Sequence, residues 1–211
     1  MEKLSFNKIH HNRKAFYEEN KYKDHVLLRG EGNVLISAPH SVSQVRLGKH
    51  KYSEIGSLAT VLYLHDKTNV YAIAKTKNNN DDANFDKDSR YKDTIRRVVK
   101  DKNIKYLIDF HGLAAKRECD VNLGTHIGKN VKSDVELFNR LNDSLVAAGL
   151  NVSIDQPFMA RYHTISSSIN DELGIWTIQV EINCSITNQK ENFNKYSKLL
   201  SALLDWIESI K

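Results

Sequence analysis

Along the chain, short β-branched and aliphatic runs alternate with longer stretches in which apolar side chains recur every third or fourth position. Residues 26–29 and 34–38 read as strands separated by the turn Gly30-Glu31-Gly32-Asn33. Ser53 then caps a helix whose apolar face is Ile55, Leu58, Ala59 and Leu62. A strand at 70–74 leads into a polar loop at 75–89, which contains Asn78-Asn79-Asn80-Asp81-Asp82, and a charged helix follows at 89–102. Residues 104–110 are apolar enough on both faces to form a central strand. A further strand is expected at 121–126, and Ser133 with Glu136 supplies a capping box for a helix ending at Gly149. The last strand is 175–182. Asn188 and Glu191 open a final helix with Phe193, Tyr196, Leu199, Leu200, Leu203 and Ile207 along one side. Strands alternating with helices predict an α/β fold, a three-layer arrangement of a mixed sheet with helices on both faces.

Composition narrows this picture. The 211 residues are 40% hydrophobic and 27% charged, without a repeat, a linker or a block of like charge, so one domain spanning 1–211 is expected. No stretch approaches the roughly 20 apolar residues of a membrane span, and the N-terminus lacks the apolar run of a secretory signal, so cytoplasmic residence is the expectation. The two cysteines, Cys119 and Cys184, make neither a disulfide framework nor a zinc ribbon and read as free thiols. The formal charge of +5 is spread along the chain and forms no basic face, which argues against nucleic acid. Nine histidines make a metal or acid–base site worth seeking.

In open α/β sheets, ligands collect beyond the carboxyl ends of the strands. His40 follows the 34–38 strand, Asp109 and His111 close the 104–110 strand, and Glu181 sits inside the apolar run Trp176-Thr177-Ile178-Gln179-Val180-Glu181-Ile182. A carboxyl inside such a strand is costly unless it is paired or used. A zinc site accounts for all of these: catalytic zinc takes three ligands from His, Asp and Glu and leaves a fourth position open, where the pKa of water falls towards about 7. His40 and His111 supply two ligands and Glu54 is favoured as the third, with His50 and Asp109 as competitors. Asp109 fits equally well behind His111, orienting its imidazole. Glu181 would then be the general base and later the proton donor.

Ala38-Pro39-His40-Ser41, Ile108-Asp109-Phe110-His111-Gly112, Leu123-Gly124-Thr125 and Gln179-Val180-Glu181-Ile182-Asn183 stand in one order from Val34 to Asn183. In that order they resemble the motifs of the N-formylglutamate amidohydrolases, relatives of the zinc carboxypeptidases and of aspartoacylase. The resemblance implies a phosphorylase/hydrolase-like α/β fold, a single zinc ion, and hydrolysis of an amide next to a carboxylate in a small N-acyl amino acid. It matches His40 and His111 to the metal histidines, Glu54 to the acidic ligand and Glu181 to the catalytic carboxylate. Relatives often carry Asp-x-Asn-Arg for the substrate carboxylate, whereas this chain reads Asp82-Ala83-Asn84-Phe85. Asn84 is kept and the arginine is missing. Arg90, Arg117 and Arg161 are the available substitutes, with Arg117 and Arg161 favoured for the substrate and Arg161 also for the oxyanion.

The remaining histidines, His10, His11, His25, His65, His126 and His163, read as non-catalytic, with His163 the exception to watch through its closeness to Arg161. Ser166-Ser167-Ser168 lacks the glycines of a nucleophile elbow and reads as a loop, and neither cysteine has an evident base. Two alternatives stand beside the small-substrate reading. One is hydrolysis of poly-γ-glutamate or of a γ-glutamyl or cell-wall peptide at the same site, and the other is binding of an acidic ligand without turnover.

Overall fold

The computed structural model describes residues 4–211. Its strands are β1 (His25–Leu28), β2 (Glu31–Ala38), β3 (Gln44–Arg46), β4 (Lys49–Lys51), β5 (Val70–Lys75), β6 (Tyr106–Leu113), β7 (Val121–Gly124), β8 (Val152–Ile154) and β9 (Trp176–Asn183). Its helices are α1 (Phe6–Asn20), α2 (Ile55–Thr68), α3 (Arg90–Asp101), α4 (Val135–Ala147), α5 (Ile165–Leu173), α6 (Cys184–Asn188) and α7 (Phe193–Glu208). Seven strands form one mixed sheet in the order β1-β5-β2-β6-β9-β7-β8, and β3 and β4 pair as a separate hairpin. The four middle strands β5, β2, β6 and β9 run parallel, so their carboxyl ends meet at one edge. β1 and β7 flank them in the antiparallel sense.

Strand register assigns each side chain to a face. Ile36, Ile108 and Ile178 lie in one row across β2, β6 and β9. With Phe110, Val180 and Ile182 they pack against Leu58 and Leu64 of α2, Leu141 of α4, and Leu199 and Leu203 of α7. On the other face, Leu35 and Leu107 pack against Tyr91 and Ile95 of α3 and Ile165 and Ile169 of α5. Towards the carboxyl ends this second face turns polar. The row Ser37, Asp109, Gln179 is followed by His111 beside Glu181. The period-2 alternation in Asp109-Phe110-His111 and Gln179-Val180-Glu181 therefore divides core from site: even positions enter the hydrophobic layer and odd positions face away from it. The Tyr91 hydroxyl donates to Ile73 O at 2.8 Å and accepts from Ala38 N at 3.2 Å, tying α3 to the strand ends beneath the polar rows.

The predicted three-layer α/β architecture is present, with several local differences. The segment 30–33 is not a hairpin turn: β2 begins at Glu31, and β5 lies between β1 and β2. Gly30 is required because a Cβ there would sit 2.3 Å from the Val70 carbonyl carbon. The α2 N-cap is Glu54 rather than Ser53, and α4 is capped by Asp134, whose carboxylate accepts from Leu137 N at 2.8 Å, rather than by a Ser133 and Glu136 box. Ser166, Ser167 and Ser168 lie within α5, capped by Thr164, and are not a loop. The final helix starts at Phe193 after two short turns. Helix α1, the β3–β4 hairpin and β8 add to the predicted elements. None of the described helices is long and apolar enough to cross a membrane.

Candidate metal centre

Pro39 and Ser41 bracket His40 in the turn that ends β2. The Ser41 hydroxyl donates to Ala38 O at 2.9 Å and also to Lys75 O, which pins the turn to the end of β5. The chain then leaves for the β3–β4 hairpin and returns, so that Glu54 N donates to His40 O at 2.8 Å. That excursion explains how two side chains 14 positions apart meet, with His40 Nδ1 lying 2.9 Å from Glu54 Oε1. His111 arrives from the neighbouring strand β6. Its Nδ1 lies 3.1 Å from His40 Nδ1 and 3.3 Å from Glu54 Oε2. Gly112 is needed next to it, because a Cβ there would stand 3.0 Å from Glu54 Cβ, and its N–H donates to Glu54 Oε2 at 2.9 Å.

Both imidazoles are held from behind by buried carboxylates. His40 Nε2 lies 2.8 Å from Asp82 Oδ1, and His111 Nε2 lies 3.0 Å from Asp109 Oδ2. A carboxylate only accepts, so Nε2 carries the proton in both rings and the two Nδ1 lone pairs face each other and Glu54. A cation relieves that opposition, either a proton on Nδ1 facing Glu54 or a metal ion held between the donors. The donor set fits a metal ion: separations of 2.9, 3.1 and 3.3 Å approach the ~3.3 Å edge of a tetrahedron with ligand bonds of ~2.0–2.1 Å. His40, Glu54 and His111 also form a cluster able to hold one ion.

The electrostatics of the metal-free protein follow from the same set. Burial pulls His40 down, but the charge of Glu54 and hydrogen bonds with Asp82 and Glu54 together lift it to about 8. His111 is likewise raised well above its ordinary value: burial pulls it down, and Asp109 and Glu54 together outweigh burial. Against the upward pull of burial, His40 and His111 hold Glu54 well below the usual carboxylate range, and His40 with Arg46 does the same for Asp82. Glu181 moves the other way. Burial raises it to about 7, with the charge of Glu54 adding to the rise and both histidines opposing it. Its Oε1 accepts from Gln179 Nε2 at 2.8 Å.

These groups open into a cavity of about 700 Å³. His40, Glu54, His111, Gln179 and Glu181 form its inner wall, the hairpin contributes Arg46, His50 and Lys51, and the 157–164 segment contributes Phe158, Arg161, Tyr162 and His163. Lys92, fully buried, ties two walls together by donating to Asp86 O at 2.5 Å and to His163 O. Burial, aided by Arg96, pulls its ammonium down to about 8.

Of the residues singled out by sequence, His40, Glu54, His111, Glu181, Asn84 and Arg161 all reach this cavity, and Asp109 stands behind His111. Asn84 is held by Ile165 N, which donates to its Oδ1 at 2.7 Å. His50 is on the wall but outside the three-residue cluster. Arg117 is exposed on the segment after β6 and does not line the cavity, and neither does Arg90 at the start of α3. The cysteines lie elsewhere, Cys119 buried and Cys184 half-buried. Two roles are not legible in the sequence: Asp82 heads the Asp-x-Asn segment without being marked as the partner of His40, and Arg46, whose Nε donates to Asp82 Oδ2 at 2.7 Å, carries no mark at all. Asp82 is buried inside an asparagine-rich polar stretch, where an aspartate looks ordinary. Nothing in the sequence around Arg46 distinguishes it from other surface cations.

No protein-family model and no curated protein matches the chain. Solved structures do. An N-formylglutamate amidohydrolase from Ralstonia eutropha is 12% identical and aligns over 89% of this chain and 98% of its own, with a TM-score of 0.58. A bacteriophage poly-gamma-glutamate hydrolase is 12% identical over 88% of this chain and 89% of its own, with a TM-score of 0.56. A metallo-carboxypeptidase from Burkholderia cenocepacia is 8% identical over 95% of this chain and 69% of its own, with a TM-score of 0.54. At these identities the likeness is one of fold.

Two outcomes follow from the centre itself. Gly112→Ala drives a methyl group into Glu54 and is expected to weaken zinc binding at least ~10-fold in competition with a chromophoric chelator, and an unchanged affinity would contradict this packing. In chelated protein, His40 has a folded pKa above its unfolded one, so its contribution is complete below about pH 6.5 and is lost as pH rises through about 8. Urea midpoints should therefore fall between about pH 6 and pH 8, and a rise would refute the arrangement.

Proposed function

We propose that this protein is a zinc-dependent amidohydrolase that cleaves the amide bond of a small anionic N-acyl amino acid of the N-formylglutamate kind. The observation that carries the reading is the convergence of His40 Nδ1, His111 Nδ1 and the Glu54 carboxylate, with Glu181 beside His111 on the next strand and opening into the same cavity. The shared fold with an amidohydrolase, a poly-gamma-glutamate hydrolase and a metallo-carboxypeptidase supports it.

His40, Glu54 and His111 would hold one zinc ion, which supplies Lewis acidity to water and to the substrate carbonyl. Asp82 and Asp109 keep the two imidazoles in the Nε2–H tautomer and aim Nδ1 at the ion. Glu181 is the general base. Its carboxylate accepts a proton from water as the C–O bond forms and returns it to the departing nitrogen as the C–N bond breaks. Arg161, which lines the same cavity, is assigned to the developing oxyanion, and Asn84 to the substrate. Asn84 suits this role because its position is set by Ile165 and by a long contact of 3.4 Å to Gln179.

One feature favours a longer substrate as a second reading. The cavity, about 700 Å³, exceeds the need of a single acyl-amino acid, and Lys51, Tyr52, Phe158 and Tyr162 extend it outward as a cationic and aromatic rim. A γ-glutamyl chain or a cell-wall peptide would use that rim.

Purified protein should carry about one equivalent of zinc, and His40→Ala and His111→Ala should each lose it; full occupancy in either variant removes that ligand. Glu181→Gln should retain zinc and lose at least ~100-fold in kcat on an N-acyl amino acid, and an unaltered rate takes Glu181 out of the reaction. Chain length separates the two substrate readings. If kcat/KM climbs steeply from one glutamyl unit to several and falls with ionic strength, the longer substrate is correct, whereas a flat profile selects the small one.

A further inference from the structure

Arg46 is the best-anchored cation on the cavity wall. Its Nε donates to Asp82 Oδ2 at 2.7 Å, and the Asp82 side chain is fully buried. Its guanidinium carbon stands 4.9 Å from the centre of the Phe85 ring. One contact fixes the edge of the fork and the other fixes its plane. Asp82 engages only Nε, so the two Nη groups remain for a ligand. Arg161 is held differently. It is exposed, and it stacks on its own neighbour Tyr162 at 4.7 Å, with no carboxylate to orient it.

The position of Arg46 is as informative as its rigidity. Asp82 accepts from Arg46 through one oxygen and from His40 through the other, so a single carboxylate separates the guanidinium from a metal-cluster histidine. A substrate whose carboxylate lies a few bonds from its scissile amide would present both ends at once, the carboxylate to Arg46 and the amide to the centre. Phe85 follows Asn84 directly, so the platform beneath the guanidinium and an amide side chain on the cavity wall come from one short segment. A fork oriented before binding loses little freedom on engaging two oxygens, which makes such an arginine selective as well as attractive.

We infer that Arg46, seated on Phe85 and tethered by Asp82, binds the substrate carboxylate and sets a preference for acidic over neutral amides. The inference rests on the amidohydrolase reading for its substrate, but not for its test.

The test compares an N-acyl glutamate with its carboxamide counterpart in zinc-loaded protein, and separately titrates glutarate calorimetrically. Wild type should prefer the acid, and Arg46→Met should erase that preference by lowering kcat/KM for the acid about 30-fold. Arg46→Lys, which keeps charge without the fork, should recover only part of it, and Phe85→Leu, which leaves the Asp82 contact intact, should fall between wild type and Arg46→Met. Arg161→Met should slow both substrates alike. Glutarate binding should weaken about 30-fold in Arg46→Met. Turnover with an acid preference that survives in Arg46→Met and Phe85→Leu overturns the assignment while leaving the hydrolase reading intact. Arg46-dependent glutarate binding without turnover of either substrate supports the assignment and removes the hydrolase reading. Wild-type protein that does not bind glutarate overturns it.

Discussion

Two imidazole nitrogens 3.1 Å apart, each with its other nitrogen committed to a carboxylate, leave lone pairs directed at one another, and protons shared with Glu54 or a metal ion between them relieve that opposition. Much of the structure around the sheet's carboxyl edge can be understood from this requirement. Asp82 and Asp109 enforce the tautomer, Glu54 adds a third donor, and Gly112 leaves room for it. Burying so many acids without a balancing charge would be prohibitive. Arg46 beside Asp82 and the raised His40 and His111 beside Glu54 and Asp109 supply that balance in the metal-free protein, and a metal ion at the same place would take over from the histidine protons.

The parallel centre of the sheet is what makes the convergence possible. Strands β2, β6 and β9 end together, so His40, His111 and Glu181, far apart in sequence, are neighbours without any long loop being ordered for the purpose. Helices α3 and α5 cover only the Leu35 and Leu107 part of their face, and the polar rows beyond them stay open. The strands therefore do double duty, filling the core with even positions and the site with odd ones. Hydrophobic packing of the first set fixes the second to within the tolerance of a strand register, which a loop-borne site would not match.

This division decides how much of the site is legible in the sequence. An aspartate, a histidine and a glutamate at alternate positions of apolar strands conflict with burial, and that conflict alone marks Asp109, His111 and Glu181. His40 is legible as the first polar residue past a strand. The β3–β4 hairpin is not, because strands of three residues rich in lysine and arginine carry no periodic signal, and Arg46 is hidden with it. Helix α5 looks like a serine loop because three consecutive serines announce no apolar face, although Ser166 and Ser167 are buried and the Ser167 hydroxyl lies 3.2 Å from His126 Nδ1. Arg117 is attractive only by its place in the sequence, and the segment after β6 carries it out to solvent.

The hairpin that hides Arg46 also accounts for the separation of His40 from Glu54. The chain between them closes with the bond from Glu54 N to His40 O, which sets the two side chains next to each other. Its contribution lies on the cavity wall, where it delivers Arg46, His50 and Lys51. The position after Asn84 is Phe85, which has no charge to offer an anion but provides a flat face for a guanidinium reaching across from β3. A cation supplied from a hairpin and steadied by a ring can occupy the same side of the centre as one borne directly on the segment. It also comes with a second tether, Asp82, that links its orientation to His40 and hence to the donors themselves. Under the proposed function, one buried carboxylate would join recognition at the wall to coordination at the base of the cavity.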